Sequence, residues 1–159
     1  MSRVGIGYDL HRLVEGRAFV LGGITVPFEK GAVSHSDGDV LAHAICDALL
    51  GAAGLGDIGS HFPDTDPKWK GVSSLRFLEQ VSDLLDQSGW SIDHVDAVVV
   101  TEKPKLNPHF PAMREALSQA LGVDLARIHL KAKTNEGVDA VGHGEAIAAH
   151  AVATLERAS

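Results

Sequence analysis

The stretch "SHSDGDVLAHAICDALLGAAG", residues 34–54, carries the strongest helical pattern in the chain. Its apolar residues recur every three or four positions, which is the spacing of one face of an α-helix. Ser36 and Asp37 precede this pattern as candidate N-caps, and the helix is expected to stop near Gly51 or Gly54. We therefore expect a long helix in the first third of the chain, and the rest of the fold has to be arranged around it.

Strand-like and helix-like segments alternate on both sides of this helix. Residues 2–13 alternate as a strand does, 17–31 form two short extended pieces around Gly22 and Gly23, and 55–71 form a long, shaped loop. Further along, the patterns predict a helix over 73–89, a strand over 94–102, a helix over 108–122, a strand over 127–134 and a last helix over 144–158. Such interleaving predicts a mixed sheet that is covered by helices in one layer or two.

The composition limits the class of protein. A chain of 159 residues, 45% of them apolar, is expected to form one domain over 1–159. The formal charge of -7 argues against a nucleic-acid partner, and no apolar run approaches the roughly 20 residues of a membrane span. Cys46 is the only cysteine, which excludes disulfides and multi-thiolate zinc sites within one chain. With no secretory pattern at the start, we expect a cytoplasmic protein.

A candidate metal site begins in "GYDLH", residues 7–11. Asp9 and His11 lie two apart on a predicted strand, so their side chains leave the same face close enough to bind one ion. His43, on the long helix, is the candidate third ligand, because one carboxylate and two imidazoles are a common catalytic zinc set with an open fourth position. Without a metal, Asp9 and His11 would be an ordinary strand end, and His43 would form an exposed polar stripe on the helix with Asp39 and Asp47. Spacing alone leaves both the metal site and this structural interpretation open.

Candidate anion-binding residues flank the same helix. His35 and Ser36 precede it, where free backbone amides and the positive end of the helix dipole suit a phosphate. Asp57, Asp64 and Asp66 follow in a loop whose glycines permit close approach to a ligand, although simple turn capping would use the same acids.

Two further polar segments end predicted strands. "TEKPKLNP", residues 101–108, and "KAKTNE", residues 131–136, lie where α/β proteins place ligands. Thr134 can donate to a phosphate and Glu136 could hold magnesium, while ordinary strand-end turns with solvated lysines are the alternative.

Taken together, "GYDLH", "SHSDGDVLAHAICDALLGAAGLGDIGSHFPDTDP", "KPKLNPH" and "KTNEGVDAVGHGEAI" closely resemble the bacterial 2-C-methyl-D-erythritol 2,4-cyclodiphosphate synthases. The resemblance covers essentially the whole chain in the same order. It implies an α+β fold, a two-layer sandwich with a mixed sheet and helices packed on one side. It also implies a homotrimer with active sites between neighbouring subunits.

The resemblance further implies a reaction in non-mevalonate isoprenoid biosynthesis. Members of the family convert 4-diphosphocytidyl-2-C-methyl-D-erythritol 2-phosphate into the cyclic diphosphate and CMP, which makes them phosphorus–oxygen lyases. The nucleophile belongs to the substrate, whose 2-phosphate attacks the β-phosphorus of the diphosphate. No protein nucleophile is required.

Roles for individual residues follow from the resemblance. Asp9, His11 and His43 match zinc ligands, and Glu136 matches the residue that holds magnesium or manganese. Matches to transition-state stabilisers are His35 and Thr134. The expected contacts to the methylerythritol and its phosphate are Asp9, Leu10, His11, His35, Ser36, Asp57, Ile58, Gly59, Phe62, Pro63, Asp64, Thr65 and Asp66. The expected cytidine diphosphate pocket comprises Thr101, Glu102, Lys103, Pro104, Lys105, Leu106, Asn107, Lys133, Thr134, Asn135 and Glu136.

A few positions depart from the family pattern. His143 stands where an arginine is common, and Asp139 and Ala140 replace a Gly-Phe pair, so the candidate axial ligand position at Ala140 and His143 is altered. Lys133 replaces a small hydroxyl residue and adds a positive charge near the expected phosphates. Two other functions stay open at this point: a metal-dependent phosphohydrolase that activates water, and a trimeric ligand-binding protein whose zinc is structural.

Overall fold

The computed structural model describes residues 1 to 159 and contains seven strands and five helices. The strands are β1 Ser2–Glu15, β2 Phe19–Leu21, β3 Ile24–Val26, β4 Lys30–Ala32, β5 Trp90–Val100, β6 Ile128–Lys133 and β7 Ala146–Arg157. The helices are α1 Val40–Ala53, α2 Ile58–His61, α3 Leu75–Gln87, α4 Phe110–Leu121 and α5 Asp139–Gly142. The alternation predicted from the sequence is therefore present up to β6.

Five of the strands form one mixed sheet in the order β4-β1-β7-β5-β6. Only β5 and β6 run parallel, and every other neighbouring pair in this sheet is antiparallel. β2 and β3 pair separately as an antiparallel hairpin, as the two extended pieces around Gly22 and Gly23 predict. The mixed α+β fold expected from the sequence is confirmed.

Helices α1, α3 and α4 cover one face of the sheet, and α1 lies directly over β1 and β7. Its approach is close because β1 presents glycines to it. A Cβ on Gly7 would lie only 1.8 Å from the Ala44 carbonyl oxygen, and one on Gly5 would lie 2.0 Å from that of Ala48. No larger residue fits at either position with the helix where it is.

The opposite face of the sheet carries exposed apolar side chains. Val4, Ile6, Tyr8 and Leu10 of β1 are 67%, 73%, 51% and 46% exposed, and Val152 of β7 is 42% exposed. Ile6 pairs directly with Val152, so these side chains form one continuous patch, called here the open face. Soluble single chains rarely expose such a patch without a partner. No helix of this fold has the length and the hydropathy that crossing a bilayer requires.

The predicted last helix over 144–158 is wrong, because this segment forms β7, which lies between β1 and β5. Its alanines favour a helix in isolation, but tertiary context overrides that preference. Every second residue points towards α1 and is buried, and these are Ile147, Ala149, Ala151, Ala153 and Leu155. The three central ones are alanines, because only small side chains fit beside Gly5 and Gly7, where α1 lies closest to the sheet.

The start of α1 also differs from the expectation. Its N-cap is Asp39, whose side chain accepts from the backbone N–H of Ala42, and neither Ser36 nor Asp37 caps the helix. Burial raises the pKa of Asp39 to about 6, although three backbone N–H groups that donate to the carboxylate oppose this. The predicted end is confirmed: α1 stops at Ala53, and Gly54 adopts the left-handed conformation at the C-cap.

Two smaller differences concern element boundaries. The 55–71 segment was expected to be a loop, but it contains the short helix α2 and a single 3-10 turn at Pro67–Trp69. β5 starts at Trp90, four residues before the predicted strand. Both differences lie at Gly-rich or Pro-rich ends, where sequence patterns define boundaries least well.

Candidate functional site

Three metal-binding side chains meet where β1 passes under α1. Asp9 Oδ2 lies 2.8 Å from His11 Nε2 and 2.9 Å from His43 Nδ1, and the two ring nitrogens are 3.2 Å apart. This triangle, called here the metal triad, brings one carboxylate oxygen and two imidazole nitrogens to a common point. Such a donor set fits a divalent cation with a fourth position left open. The spacing of the sequence offered this convergence as one of two interpretations, and the structure brings the three side chains together.

The local fold explains why these three residues meet. Asp9 and His11 point to the α1 side of the sheet because side chains alternate along β1. His43 lies one turn after the Asp39 cap, on the part of α1 that passes over them. Gly7 precedes Asp9 on the same face and faces Ala44, the residue next to His43. The close helix–strand contact therefore sets the distance between the ligand atoms.

The triad is electrostatically prepared for a cation. Burial raises the pKa of Asp9, but hydrogen bonds and charge interactions with His11 and His43 outweigh it and lower this pKa to about 2. For His43, burial lowers the pKa, whereas the hydrogen bond to Asp9 and the charges of Asp9, Asp39 and Asp37 raise it overall. A proton therefore competes with a metal for His43 at higher pH than it would for a free imidazole.

The other ring nitrogen of His43, Nε2, lies within hydrogen-bonding distance of two serine hydroxyls. It lies 2.8 Å from Ser74 Oγ and 3.1 Å from Ser36 Oγ, and Ser74 Oγ lies 2.5 Å from Asp37 Oδ1. Ser74 is fully buried at the start of α3. Nothing in the spacing of the sequence signals it, because it lies 31 residues from His43.

A cleft of about 440 Å³ opens beside the triad and is called here the metal-side cleft. Besides the triad, the predicted residues that line it are His35, Ser36, Ile58, Gly59, Phe62, Pro63 and Asp64. The sequence did not identify three further lining residues, which are Ser34, Trp69 and Phe77. The rings of Phe62 and Phe77 stack with their centroids 4.6 Å apart, and Trp69 packs on both at 5.1 and 5.4 Å.

Four predicted contact residues do not line this cleft. Leu10 points to the open face, because it lies between Asp9 and His11 on the strand. Asp57 caps α2 by accepting from the N–H and hydroxyl of Ser60, and Asp66 caps the following 3-10 turn. The carbonyl of Asp66 also accepts from His35 Nε2 at 3.0 Å, which holds the imidazole at the cleft. Thr65 is exposed nearby.

A second cleft of about 410 Å³ lies at the ends of β5 and β6 and is called here the strand-end cleft. The predicted residues that line it are Thr101, Glu102, Pro104, Lys105, Leu106, Asn107, Lys133 and Thr134, to which the structure adds Pro108 and Ala132. Glu102 joins its two sides by accepting from the backbone N–H of Asn135 at 2.8 Å and of Gly137 at 2.9 Å. Lys103, Asn135 and Glu136 are adjacent but do not line it.

Glu136 adopts a left-handed backbone conformation, with φ at 54°, and its side chain is exposed. Its backbone N–H donates to Thr134 Oγ1 at 3.3 Å. The two clefts have no lining residue in common. His143 lines neither of them and is exposed in a smaller cleft with Lys30 and Lys103, which shares Glu102 with the strand-end cleft. Ala140 is exposed on α5.

A protein-family comparison covers nearly the whole chain. The family model described as "YgbB family" matches residues 2–156. The chain belongs to the YgbB family. The resemblance noted from the sequence motifs is confirmed.

Several curated proteins that are similar to this chain share the name 2-C-methyl-D-erythritol 2,4-cyclodiphosphate synthase. The 2-C-methyl-D-erythritol 2,4-cyclodiphosphate synthase of Desulfosudis oleivorans is 58% identical over 153 residues, which are 96% of this chain and 91% of that protein. The protein of the same name from Clostridium perfringens is 52% identical over 96% of this chain and 98% of its own length. A solved structure of such a synthase, in its CDP-bound form, has a TM-score of 0.89 at 43% identity, covering 97% of this chain and 100% of that one.

Proposed function

We propose that this chain converts 4-diphosphocytidyl-2-C-methyl-D-erythritol 2-phosphate into 2-C-methyl-D-erythritol 2,4-cyclodiphosphate and CMP. The observation that carries the proposal is the metal triad, which lines the metal-side cleft in a chain 58% identical to a synthase of that name. The reaction is a phosphoryl transfer within one substrate. An oxygen of the 2-phosphate bonds to the β-phosphorus, the bond from that phosphorus to the α–β bridging oxygen breaks, and CMP leaves with the bridging oxygen.

The metal triad would hold zinc, because one carboxylate and two imidazoles form a frequent zinc set with an open position. When bound there, zinc would supply Lewis-acid polarisation of the diphosphate. The chain's own contribution is to keep the three ligand atoms about 3 Å apart and to lower the pKa of Asp9, so that the carboxylate stays ionised. Glu136, exposed beside the strand-end cleft, would hold a magnesium or manganese ion on the substrate diphosphate.

The metal-side cleft would bind the methylerythritol with its phosphate. Its wall of stacked Phe62, Phe77 and Trp69 offers an apolar surface for the carbon skeleton, while His35 and Ser36 line the cleft beside the triad. Thr134 would donate a hydrogen bond to the charge that develops on the phosphoryl oxygens, and His35 would do the same once its Nε2 releases the Asp66 carbonyl. Asp57 and Leu10 would have to contact the substrate through backbone atoms or after movement, because their side chains point elsewhere.

The strand-end cleft would bind the cytidine diphosphate portion. Thr101 Oγ1 donates to the Lys103 carbonyl at 2.7 Å, which shapes the segment that would face the base. Lys105 and Lys133 add positive charge to a chain whose net charge is -7, and this charge favours a diphosphate.

We further propose a homotrimer whose active sites lie between subunits. The open face is the natural contact surface, because it exposes five large apolar side chains that no other part of the chain covers. Because the metal-side and strand-end clefts share no residue, the substrate would bridge the metal-side cleft of one subunit and the strand-end cleft of the next. Ala140 and His143 are the candidates for the position nearest the trimer axis.

Phosphorus NMR of the protein incubated with the cytidylyl substrate, zinc and magnesium tests the proposed reaction. We expect a cyclic diphosphate and stoichiometric CMP, and we expect His11→Ala to abolish both. Asp83→Ala is the control, because Asp83 is exposed on α3, lines neither cleft, and its side chain makes no hydrogen bond or ion pair. A linear monophosphate product would instead favour a metal-dependent phosphohydrolase, and turnover by His11→Ala would contradict the proposed zinc site.

A further inference from the structure

Ser74 occupies the N-cap position of α3 but does not act as a cap. A serine at this position normally accepts a hydrogen bond from the backbone N–H two or three residues later. Here the side chain is fully buried and turned away from its own helix. Its hydroxyl lies between His43 Nε2 at 2.8 Å and Asp37 Oδ1 at 2.5 Å. The preceding residue, Ser73, accepts from the backbone N–H of Leu75 at 3.4 Å instead, while Ser74 contacts a residue of the metal triad.

The hydrogen bonds in this group have a defined direction. Backbone N–H groups can only donate, and those of Ser74 and Asp39 donate to Asp37 Oδ2 and Oδ1 at 3.0 and 3.1 Å. Asp37 is thus an acceptor at both oxygens, and the single hydroxyl proton of Ser74 is donated to it. Ser74 Oγ then has only lone pairs to offer His43, so Nε2 must carry a proton and donate it.

We infer that Asp37 and Ser74 are positioning residues that select the metal-binding form of His43. By fixing a proton on Nε2, they leave the lone pair of Nδ1 directed at Asp9 and His11. This inference rests on the proposed metal function of the triad. Such outer hydrogen bonds to a ligand imidazole fix its tautomer and its orientation, and their loss usually weakens metal binding 10- to 100-fold.

Ser36 is a second neighbour of His43 Nε2, at 3.1 Å, but it is not an equivalent partner. No carboxylate accepts a hydrogen bond from Ser36 Oγ, whose other neighbours are hydroxyls at 3.4 Å and a backbone N–H at 3.5 Å. The Ser36 hydroxyl can therefore either donate a hydrogen bond to His43 Nε2 or accept one from it. Only the Asp37–Ser74 pair imposes a direction on His43.

Asp37→Asn is the sharpest variant, because it removes no atom from the contact but replaces one acceptor with a donor. If the new amide group takes the Oδ1 place, it donates to Ser74 Oγ, and the serine proton is released towards His43 Nε2. That proton would favour the tautomer with hydrogen on Nδ1, which blocks the metal. If the amide takes the Oδ2 place, it faces the backbone N–H of Ser74 at 3.0 Å, and two hydrogen-bond donors then oppose each other without an acceptor. Either arrangement disturbs the group.

The experiment measures zinc affinity by competition with a fluorescent chelator, on the full chain without substrate. We expect Ser74→Ala and Asp37→Asn each to weaken zinc binding about 10- to 100-fold. Two matched controls should stay within about threefold of the wild type. Ser88→Ala removes a half-buried hydroxyl that makes no hydrogen bond at the other end of α3, and Asp47→Asn removes the same charge from a half-buried aspartate on α1 that accepts from only one backbone N–H.

Nitrogen-15 NMR of histidine-labelled, zinc-loaded protein gives the readout that a purely structural role would not change. We expect metal on Nδ1 of His43 and a slowly exchanging proton on Nε2, and we expect rapid exchange of that proton in Ser74→Ala. Metal on Nε2, or unchanged affinity in both variants, would overturn the inference and leave the proposed function intact. A wild-type chain that binds no zinc would overturn both.

Discussion

Gly7→Ala should damage the fold and the metal site through one contact. The added Cβ would lie 1.8 Å from the Ala44 carbonyl oxygen and 2.8 Å from the Ala48 backbone nitrogen. Both atoms belong to the α1 backbone, so no side chain can rotate out of the way. Helix and strand must separate instead.

The size of this separation follows from the distances. Real Cβ contacts essentially never fall below 3.0 Å, so α1 must move from β1 by about 1.2 Å. Adding one methyl group to a packed core typically costs about 1–3 kcal/mol, and we expect about 3 kcal/mol here because backbone meets backbone. Ala44 adjoins His43, and Gly7 is two residues from Asp9. The ligand atoms would therefore part by far more than the ~0.2 Å that metal sites tolerate.

Urea unfolding and zinc titration measure the two effects separately. Gly7→Ala should lower the unfolding midpoint and weaken zinc binding by more than about 100-fold, because loss of an outer partner alone costs 10- to 100-fold. Gly51→Ala is the matched control: its Cβ would point into open space from the same helix, and it should stabilise the protein by up to about 1 kcal/mol. A Gly7→Ala protein of unchanged stability that binds zinc normally would refute this reasoning.

Three further predictions address the site, the core and the assembly. Since the pKa of His43 is raised, zinc affinity should fall as pH decreases, approaching tenfold per pH unit below that pKa; a flat chelator-competition profile from pH 8 to 5.5 would contradict this. Asp39→Ala should cost about 3 kcal/mol in urea unfolding, because three backbone N–H groups lose their acceptor, whereas exposed Asp83→Ala should cost almost nothing. Ile6→Arg on the open face should reduce the mass measured by light scattering from three chains to one, while Leu125→Arg, equally apolar but outside that face, should not; a monomeric wild type would contradict the trimer.

The metal triad could be proposed from sequence, because local spacing makes its three residues candidates and the family resemblance favours them over an ordinary strand end and helix face. Asp9 and His11 are two apart on a strand, and His43 sits on a helix with a clear period. Ser74, Trp69 and Phe77 could not be predicted in the same way. They reach the metal-side cleft only because α3 packs beside α1, and no local pattern records which residues of one helix face another.

The capping residues illustrate the same limit. Ser36, Asp37 and Asp39 all have side chains that cap helices well, and all three lie just before the helical pattern. Only the structure distinguishes them: Asp39 caps α1 and ties down the β2–β3 turn, while Ser36 and Asp37 belong to the hydrogen bonds around His43. Helix-capping propensity therefore does not distinguish a residue that caps a helix from one that orients a metal ligand.

The error at β7 and the geometry of the metal triad have one physical origin. Ala151 pairs with Gly7 and Ala153 with Gly5, so two strands present a strip of minimal side chains to α1. Read alone, the alanines of β7 favour a helix, yet at this place they serve to let a helix come close. If α1 lay at the spacing that ordinary side chains impose, His43 would not reach Asp9 and His11. The small residues that misled the secondary-structure prediction are therefore part of what makes the site, and enlarging Ala151 should weaken zinc binding for the same reason as Gly7→Ala, without touching any ligand.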